Sequence, residues 1–296
     1  MILASQKIIH HVSKLAYGLS VPPFVLGVSF VAVGTDLPEI ANSIMSSLAG
    51  YGDLNVGDSI GSIMTQITLV LGLIPFVAGA FNVMRGQIML ISVLTIAALG
   101  IGSFLFADGY LSRLDGVVLL LTWAIFTFIA VNFSTYLSEP VLQAPEGSKR
   151  FHVFASIIYL LLLLAGAGAA VKGIIELAEL AKIPKYIISF FGSSLGTSMP
   201  ELVVNIIAIR NGKKGLALGD IIGSCMVDAT LAISVGPLIA PTAITAALVI
   251  KGSILTMATV FVVTGVIALR QKHDYRTGLL LLFLYAFAYY FIIAHQ

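Results

Sequence analysis

Cysteine is nearly absent: Cys225 stands alone among 296 residues. One thiol excludes an intrachain disulfide and a Cys-x-x-Cys site. Charge is also sparse. Asp, Glu, Lys and Arg make up 10% of the chain, where a soluble domain carries about 25%. No basic block points to nucleic acid, and a net charge of +2 says little about partners. The sequence has no His/Cys cluster of the kind that holds zinc or copper. The start, MILASQKIIHHVSK, lacks a long apolar core followed by a small-residue cleavage site, so it is not read as a signal peptide.

What fills the chain is apolar sequence. Hydrophobic residues make up 58% of it, and the mean hydropathy is +1.04. They come in long runs such as Leu114 to Tyr136, Phe151 to Val171 and Leu279 to Ala294. About 18–20 such residues cross a hydrocarbon core. Backbone polar groups in lipid must be satisfied internally, which leaves helices or a closed barrel. Barrel strands alternate apolar and polar residues, and these runs do not. Ten segments are expected, at 1–17, 21–49, 57–80, 86–106, 114–136, 152–178, 185–210, 217–240, 243–268 and 277–295. The polar stretch Ser138 to Arg150 divides five from five. This predicts an all-α polytopic membrane protein with units at 1–137 and 152–296 and a linker at 138–151. Lys14, Arg85, Lys149, Arg150, Arg210, Lys213, Lys214, Arg270, Lys272 and Arg276 collect on one side. By the positive-inside rule that side, with the linker, is cytoplasmic and both termini are outside.

The two halves repeat. Residues 34–66, GTDLPEIANSIMSSLAGYGDLNVGDSIGSIMTQ, align without a gap to 196–228, GTSMPELVVNIIAIRNGKKGLALGDIIGSCMVD, at an offset of 162. The pairs Gly34/Gly196, Thr35/Thr197, Pro38/Pro200, Glu39/Glu201, Gly57/Gly219, Asp58/Asp220, Gly61/Gly223 and Ser62/Ser224 are identical. Chance likeness between apolar helices would match Leu and Val rather than Gly, Pro, Glu and Asp. Five segments per half make the second half enter from the opposite side, an inverted repeat with its site near the midplane. At the same offset the first segment lacks about 11 residues of its partner (163 against 152), so the first helix is expected to be short.

Pro38 and Pro200 each remove a backbone donor and free carbonyls one turn earlier, near Thr35 and Thr197. Such carbonyls within a membrane must line a cavity or meet an ion. Glu39 and Glu201 follow these breaks, and an ionisable residue inside a membrane is a functional candidate. Asp36 shares a helix face with Glu39. Two neighbouring carboxylates cannot both ionise easily without a cation. Calcium takes six to eight oxygens, and Thr35, Thr197, Ser198, Ser62 and Ser224 offer more. Asp228 lies inside its segment, and its repeat partner Gln66 offers an amide oxygen. Gly61 and Gly223 suit close helix packing. Asp58 and Asp220 fall early in their segments, where N-capping is expected. His10 and His11 are read as interfacial, Glu176 and Glu179 as solvated, and Trp123 as packing or interface.

These motifs, GTDLPE, GTSMPE, GDSIGS, GDIIGS and Asp228, resemble the sodium/calcium exchanger branch of the calcium/cation antiporter superfamily, with its two alpha-repeats. The resemblance covers nearly the whole chain. It implies exchange of Ca²⁺ against another cation, Na⁺ first, by alternating access. Glu39, Glu201 and Asp228 match the family's ion-binding acids, and Thr35, Thr197, Ser198, Ser62 and Ser224 its hydroxyls. It also implies that segments one and six slide against the core. Four residues depart from the pattern: Asp36 stands where serine is usual, Asp58 and Asp220 where asparagine precedes IGS, and Gln66 where asparagine or aspartate is common. Asp36 brings the central acids to four, with Glu39, Glu201 and Asp228, and leaves Na⁺ or H⁺ open as counter-ion and the divalent ion open too. A transporter in the plasma membrane is expected, not an enzyme, with Ca²⁺ and Na⁺ as cargo, lipid as surroundings and no cofactor. An intramembrane aspartyl hydrolase, suggested by Val56-Gly57-Asp58, and a passive cation channel are the remote alternatives. Duplicated motifs in one register disfavour a hydrolase, which needs a single site.

Overall fold

A computed structural model describes residues 7, 8, 10, 11, 14, 22–137, 148, 150–159, 161, 162, 165 and 185–294. Most of the linker, most of segment 1–17, the later part of segment 152–178, and Glu176 and Glu179 lie outside the described residues. In chain order the helices are α1 (Pro23–Leu48), α2 (Gly52–Ala78), α3 (Arg85–Asp108), α4 (Arg113–Ser134), α5 (residues 185–210), α6 (Lys214–Ile239), α7 (Ala246–Arg270) and α8 (Tyr275–Ile292). All but α5 are long and apolar enough to cross a membrane. Residues 150–159 are helical as well. Gly109 (φ 77°) ends α3 and Gly212 (φ 75°) separates α5 from α6, both in the left-handed region that glycine enters without steric cost.

Local irregularities recur at the 162-residue offset. α1 breaks at Asp36 (φ −81°, ψ 8°) and α5 at Ser198 (φ −79°, ψ 6°). In both, proline occupies the first turn of the helix that resumes, where its missing N–H costs nothing. Wide π-turns occupy Gly27–Val31 and Ile188–Ser193, and again Thr65–Val70 and Asp228–Ala232. Such turns gather at functional sites. Two short antiparallel ladders tie the halves together: β1 (Phe81–Asn82) with β4 (Lys272–His273), and β2 (Tyr110–Leu111) with β3 (Thr242–Ala243).

Prolines inside α2 and α6 add a further pair. Pro75 and Pro237 lie within their helices, and each ring leaves the carbonyl four residues earlier without its helical donor. The Ile233 carbonyl is met by Asn55 Nδ2 at 3.1 Å and Ser43 Oγ at 3.3 Å. The Leu71 carbonyl is met by His273 Nε2 at 2.8 Å. Burial pushes the His273 pKa below the ordinary imidazole value, in keeping with a neutral ring that donates from Nε2. Equivalent backbone gaps are closed by different side chains in the two halves.

Helix packing crosses between halves and rests on glycine. A Cβ on Gly219 would strike the Phe24 carbonyl, and one on Gly223 would come 2.7 Å from Val28 Cα, so α6 lies backbone to backbone on α1. A Cβ on Gly57 would come 2.9 Å from the Tyr186 carbonyl, and one on Gly61 would strike that of Phe190, which sets α2 on α5. The packing role expected for Gly61 and Gly223 is what the structure shows. α6 is buried almost all round, while α4 and α8 turn much of their surface outward. Overpacking costs about 1–3 kcal/mol. Gly61→Val should therefore lower the melting temperature in detergent, while Gly100→Ala, which meets open space, should leave it unchanged or raise it. Equal melting of the two variants would contradict the close α2–α5 packing.

Candidate cation site

The helix breaks, the wide turns and the close crossings converge on one buried cluster. Asp36, Glu39 and Glu201 each offer a carboxylate oxygen, and these oxygens lie within 4.8 Å of one another. Asp228 stands beside them at the start of its π-turn and accepts from Gln66 Nε2 at 3.2 Å. All four acids are at most 1% exposed. Two pairs of repeat partners meet here: Glu39 lies near Glu201, and Gln66 bonds directly to Asp228.

Hydroxyls surround the acids. Ser62 Oγ donates to Glu39 Oε1 at 3.2 Å and lies 3.2 Å from Thr197 Oγ1. Thr35 Oγ1 lies 3.5 Å from Ser224 Oγ. Ser198 is buried at the α5 break, its hydroxyl without a hydrogen-bond partner. The structure buries all ten sequence candidates, Thr35, Asp36, Glu39, Ser62, Gln66, Thr197, Ser198, Glu201, Ser224 and Asp228, on or beside these elements.

Several acid oxygens lack partners. They are both oxygens of Asp36, both of Glu201, Oε2 of Glu39 and Oδ1 of Asp228. Buried carboxylates are normally paired, hydrogen-bonded or bound to metal. The helix stretches that carry them provide no basic residue to pair with them. No Lys, Arg or His lies between Lys14 and Arg85, between Lys185 and Arg210, or between Lys214 and Lys251. These intervals hold every acid of the cluster. A hard oxygen donor set of this kind suits Na⁺ or Ca²⁺.

Asp58 and Asp220 are a correction. Neither caps a helix. α2 begins at Gly52 and α6 at Lys214, not at 57 and 217, so both aspartates lie well inside their helices and are fully buried. Asp58 accepts from Asn42 Nδ2 at 2.7 Å and from Thr197 Oγ1 at 3.3 Å. Asp220 accepts from Asn205 Nδ2 at 2.7 Å and from Thr35 Oγ1 at 3.1 Å. Each holds the threonine at the other half's helix break. Asn42 and Asn205 escaped the sequence reading because they are not offset partners: Asn42 aligns with Val204, and Asn205 with Ser43. The turn signal Asn211-Gly212 marks the earlier start of α6 and could have exposed the error. His11 is the other correction: it is 7% exposed, with Nδ1 2.9 Å from that of His152, while His10 is exposed.

A model of the family described as sodium/calcium exchanger protein matches residues 1–132 and 151–294. The chain belongs to the sodium/calcium exchanger family. Among this exchanger-family chain's relatives, the putative antiporter CaxA of Alkalimonas amylolytica is 29% identical over 87% of the chain and 83% of its own length. The sodium/calcium exchanger MaX1 of Methanosarcina acetivorans is 25% identical over 81% of the chain and 80% of its own length. A solved structure of the sodium-calcium exchanger NCX_Mj superposes with a TM-score of 0.75 at 27% identity, covering 96% of this chain and 92% of that one. Membership in this family makes the chain an integral membrane protein.

The Asp58–Asn42 and Asp220–Asn205 bonds give a direct test. Removing one partner and leaving a buried acceptor unsatisfied costs about 1–3 kcal/mol. Asn205→Ala should destabilise the protein on that scale, read as a lower melting temperature. Asn132→Ala, on the exposed face of α4, should cost no more than about 0.5 kcal/mol. A melting curve for Asn205→Ala that overlays the wild type would contradict the positioning role.

Proposed function

We propose that this exchanger-family chain is a secondary active antiporter that carries Ca²⁺ one way and Na⁺ the other by alternating access, with the buried cluster as its transport site. The unpartnered carboxylate oxygens of Asp36, Glu39, Glu201 and Asp228, in helix stretches whose interiors hold no basic residue, carry the proposal. Such a site asks for mobile positive charge. Glu39 and Glu201 bind the ion directly, and Asp228 and Asp36 lie adjacent. Oxygens of Thr35, Thr197, Ser198, Ser62, Ser224 and Gln66 complete the shell in turn. Because the same acids serve both ions, Ca²⁺ and counter-ion compete and move in separate half-cycles.

The architecture proposed around the site is ten helices in two inverted five-helix repeats, 1–137 and 152–296, joined by a cytoplasmic linker at 138–151. Both termini face outward, in the plasma membrane. Support comes from the paired breaks, π-turns and glycine contacts at one offset, and from the basic residues that gather in alternate connections. No cofactor or catalytic step is needed.

A proton is the second candidate counter-ion, and Asp36 favours it. Its repeat partner is the neutral Ser198, so the site carries one more acid than the repeat requires. Uptake of ⁴⁵Ca²⁺ into proteoliposomes decides between the two. An outward Na⁺ gradient should drive uptake, and Glu39→Gln or Glu201→Gln should abolish it. Uptake driven only by an outward H⁺ gradient would replace Na⁺ by H⁺. Wild-type flux in either glutamate variant would refute the site.

A further inference from the structure

Away from the cation site, α3 and α7 run side by side and leave an open apolar groove of about 290 Å³. Met89, Val93, Ile96, Phe261 and Leu269 line it, and a Cβ on Gly265 would meet nothing within 4 Å. Arg85 belongs both to this groove and to a second, more polar cavity of about 600 Å³ at its end, which Arg270 and Lys272 also line. The three basic side chains are exposed. Arg270 is bonded to Asp274 at 2.8 Å, which leaves Arg85 and Lys272 as the main source of positive charge. The first turn of α3, whose backbone N–H groups have no helical acceptor, starts in the same cavity at Arg85 and Gly86. The rim lies on the face assigned to the cytoplasm.

An apolar trough on a membrane-facing surface that ends in a cationic cup matches one kind of molecule in shape and charge. We propose that the α3–α7 groove and its rim bind an anionic phospholipid, with an acyl chain along the groove and the phosphate at Arg85 and Lys272. Basic pockets between helices on the cytoplasmic side are suited to such headgroups. The repeat supplies an internal control. At the 162-residue offset Arg85 corresponds to Ala247, Arg270 to Asp108 and Lys272 to Tyr110. The basic cup is therefore no by-product of the duplicated fold, since the equivalent end of the same helix pair carries no basic residue at these positions and one acid. An uncharged lipid would gain nothing from the cup, whereas an anionic one fills both parts.

Native mass spectrometry of the purified full chain tests this, with phosphatidylglycerol, phosphatidylcholine or glycerol 3-phosphate added. The wild type should retain phosphatidylglycerol at concentrations where the other two are not held. Arg85→Gln/Lys272→Gln should bind it about 30-fold more weakly, taking ~1 kcal/mol for each cation. Gly265→Leu, which fills the groove, should also lose it. Phosphatidylglycerol should raise the melting temperature of the wild type and of neither variant, a reading that separates lost binding from lost folding. Equal retention of phosphatidylcholine would overturn the charge assignment. Equal retention of glycerol 3-phosphate would reduce the site to a phosphate cup. Wild-type retention in either variant would overturn the proposal.

Discussion

Four carboxylates lie where no basic side chain of their own helices can reach them. Asp36, Glu39, Glu201 and Asp228 are buried, and the helix stretches that hold them contain no Lys, Arg or His. Burying an unpaired ionised carboxylate is costly enough that the group is ordinarily paired, metal-bound or neutralised. Packing alone gives no reason to keep four of them together. The neighbouring hydroxyls and the Gln66 amide soften the local field but add no positive charge. A site of this composition suits completion by an ion from solution, and under the proposed function two such ions compete for it, so that exchange follows from charge balance rather than from any added device.

The remaining structure keeps those oxygens in place. Breaks at Asp36 and Ser198 stop α1 and α5 beside the cluster, and π-turns at Thr65–Val70 and Asp228–Ala232 do the same in α2 and α6. Asp58 and Asp220 hold the threonines of the opposite half, so each break is fixed by a helix of the other repeat. Glycines let these helices touch at the backbone, and little slack remains in the crossings. Carbonyls freed by Pro75 and Pro237 are closed by side chains, as a membrane interior demands.

Much of this was legible in the sequence because membrane helices write plainly. Hydropathy located the described helices to within a few residues. Gly, Pro and Glu repeated at one offset pointed to the helix breaks, while Asp36 and Asp228, whose offset partners are Ser198 and Gln66, stood out only as acids inside membrane segments. Errors arose where the signal was local or asymmetric. Periodicity begins a helix at its first apolar face, so it missed the first turns of α2 and α6 and turned Asp58 and Asp220 into caps. Asn42 and Asn205 serve like roles one register apart, which an exact offset hides. His11 reads as interfacial beside the exposed His10, and only the tertiary fold brings it to His152.

The central claim is that one set of acids serves both cargo ions. Equilibrium binding of ⁴⁵Ca²⁺ to the purified protein in detergent, titrated with Na⁺ at constant pH and ionic strength, tests it most directly. Competition should shift the Ca²⁺ affinity steadily with Na⁺ and leave the number of Ca²⁺ sites unchanged. Ca²⁺ affinity that does not respond to Na⁺ would contradict a shared site, and would place Na⁺ elsewhere or remove it from the cycle.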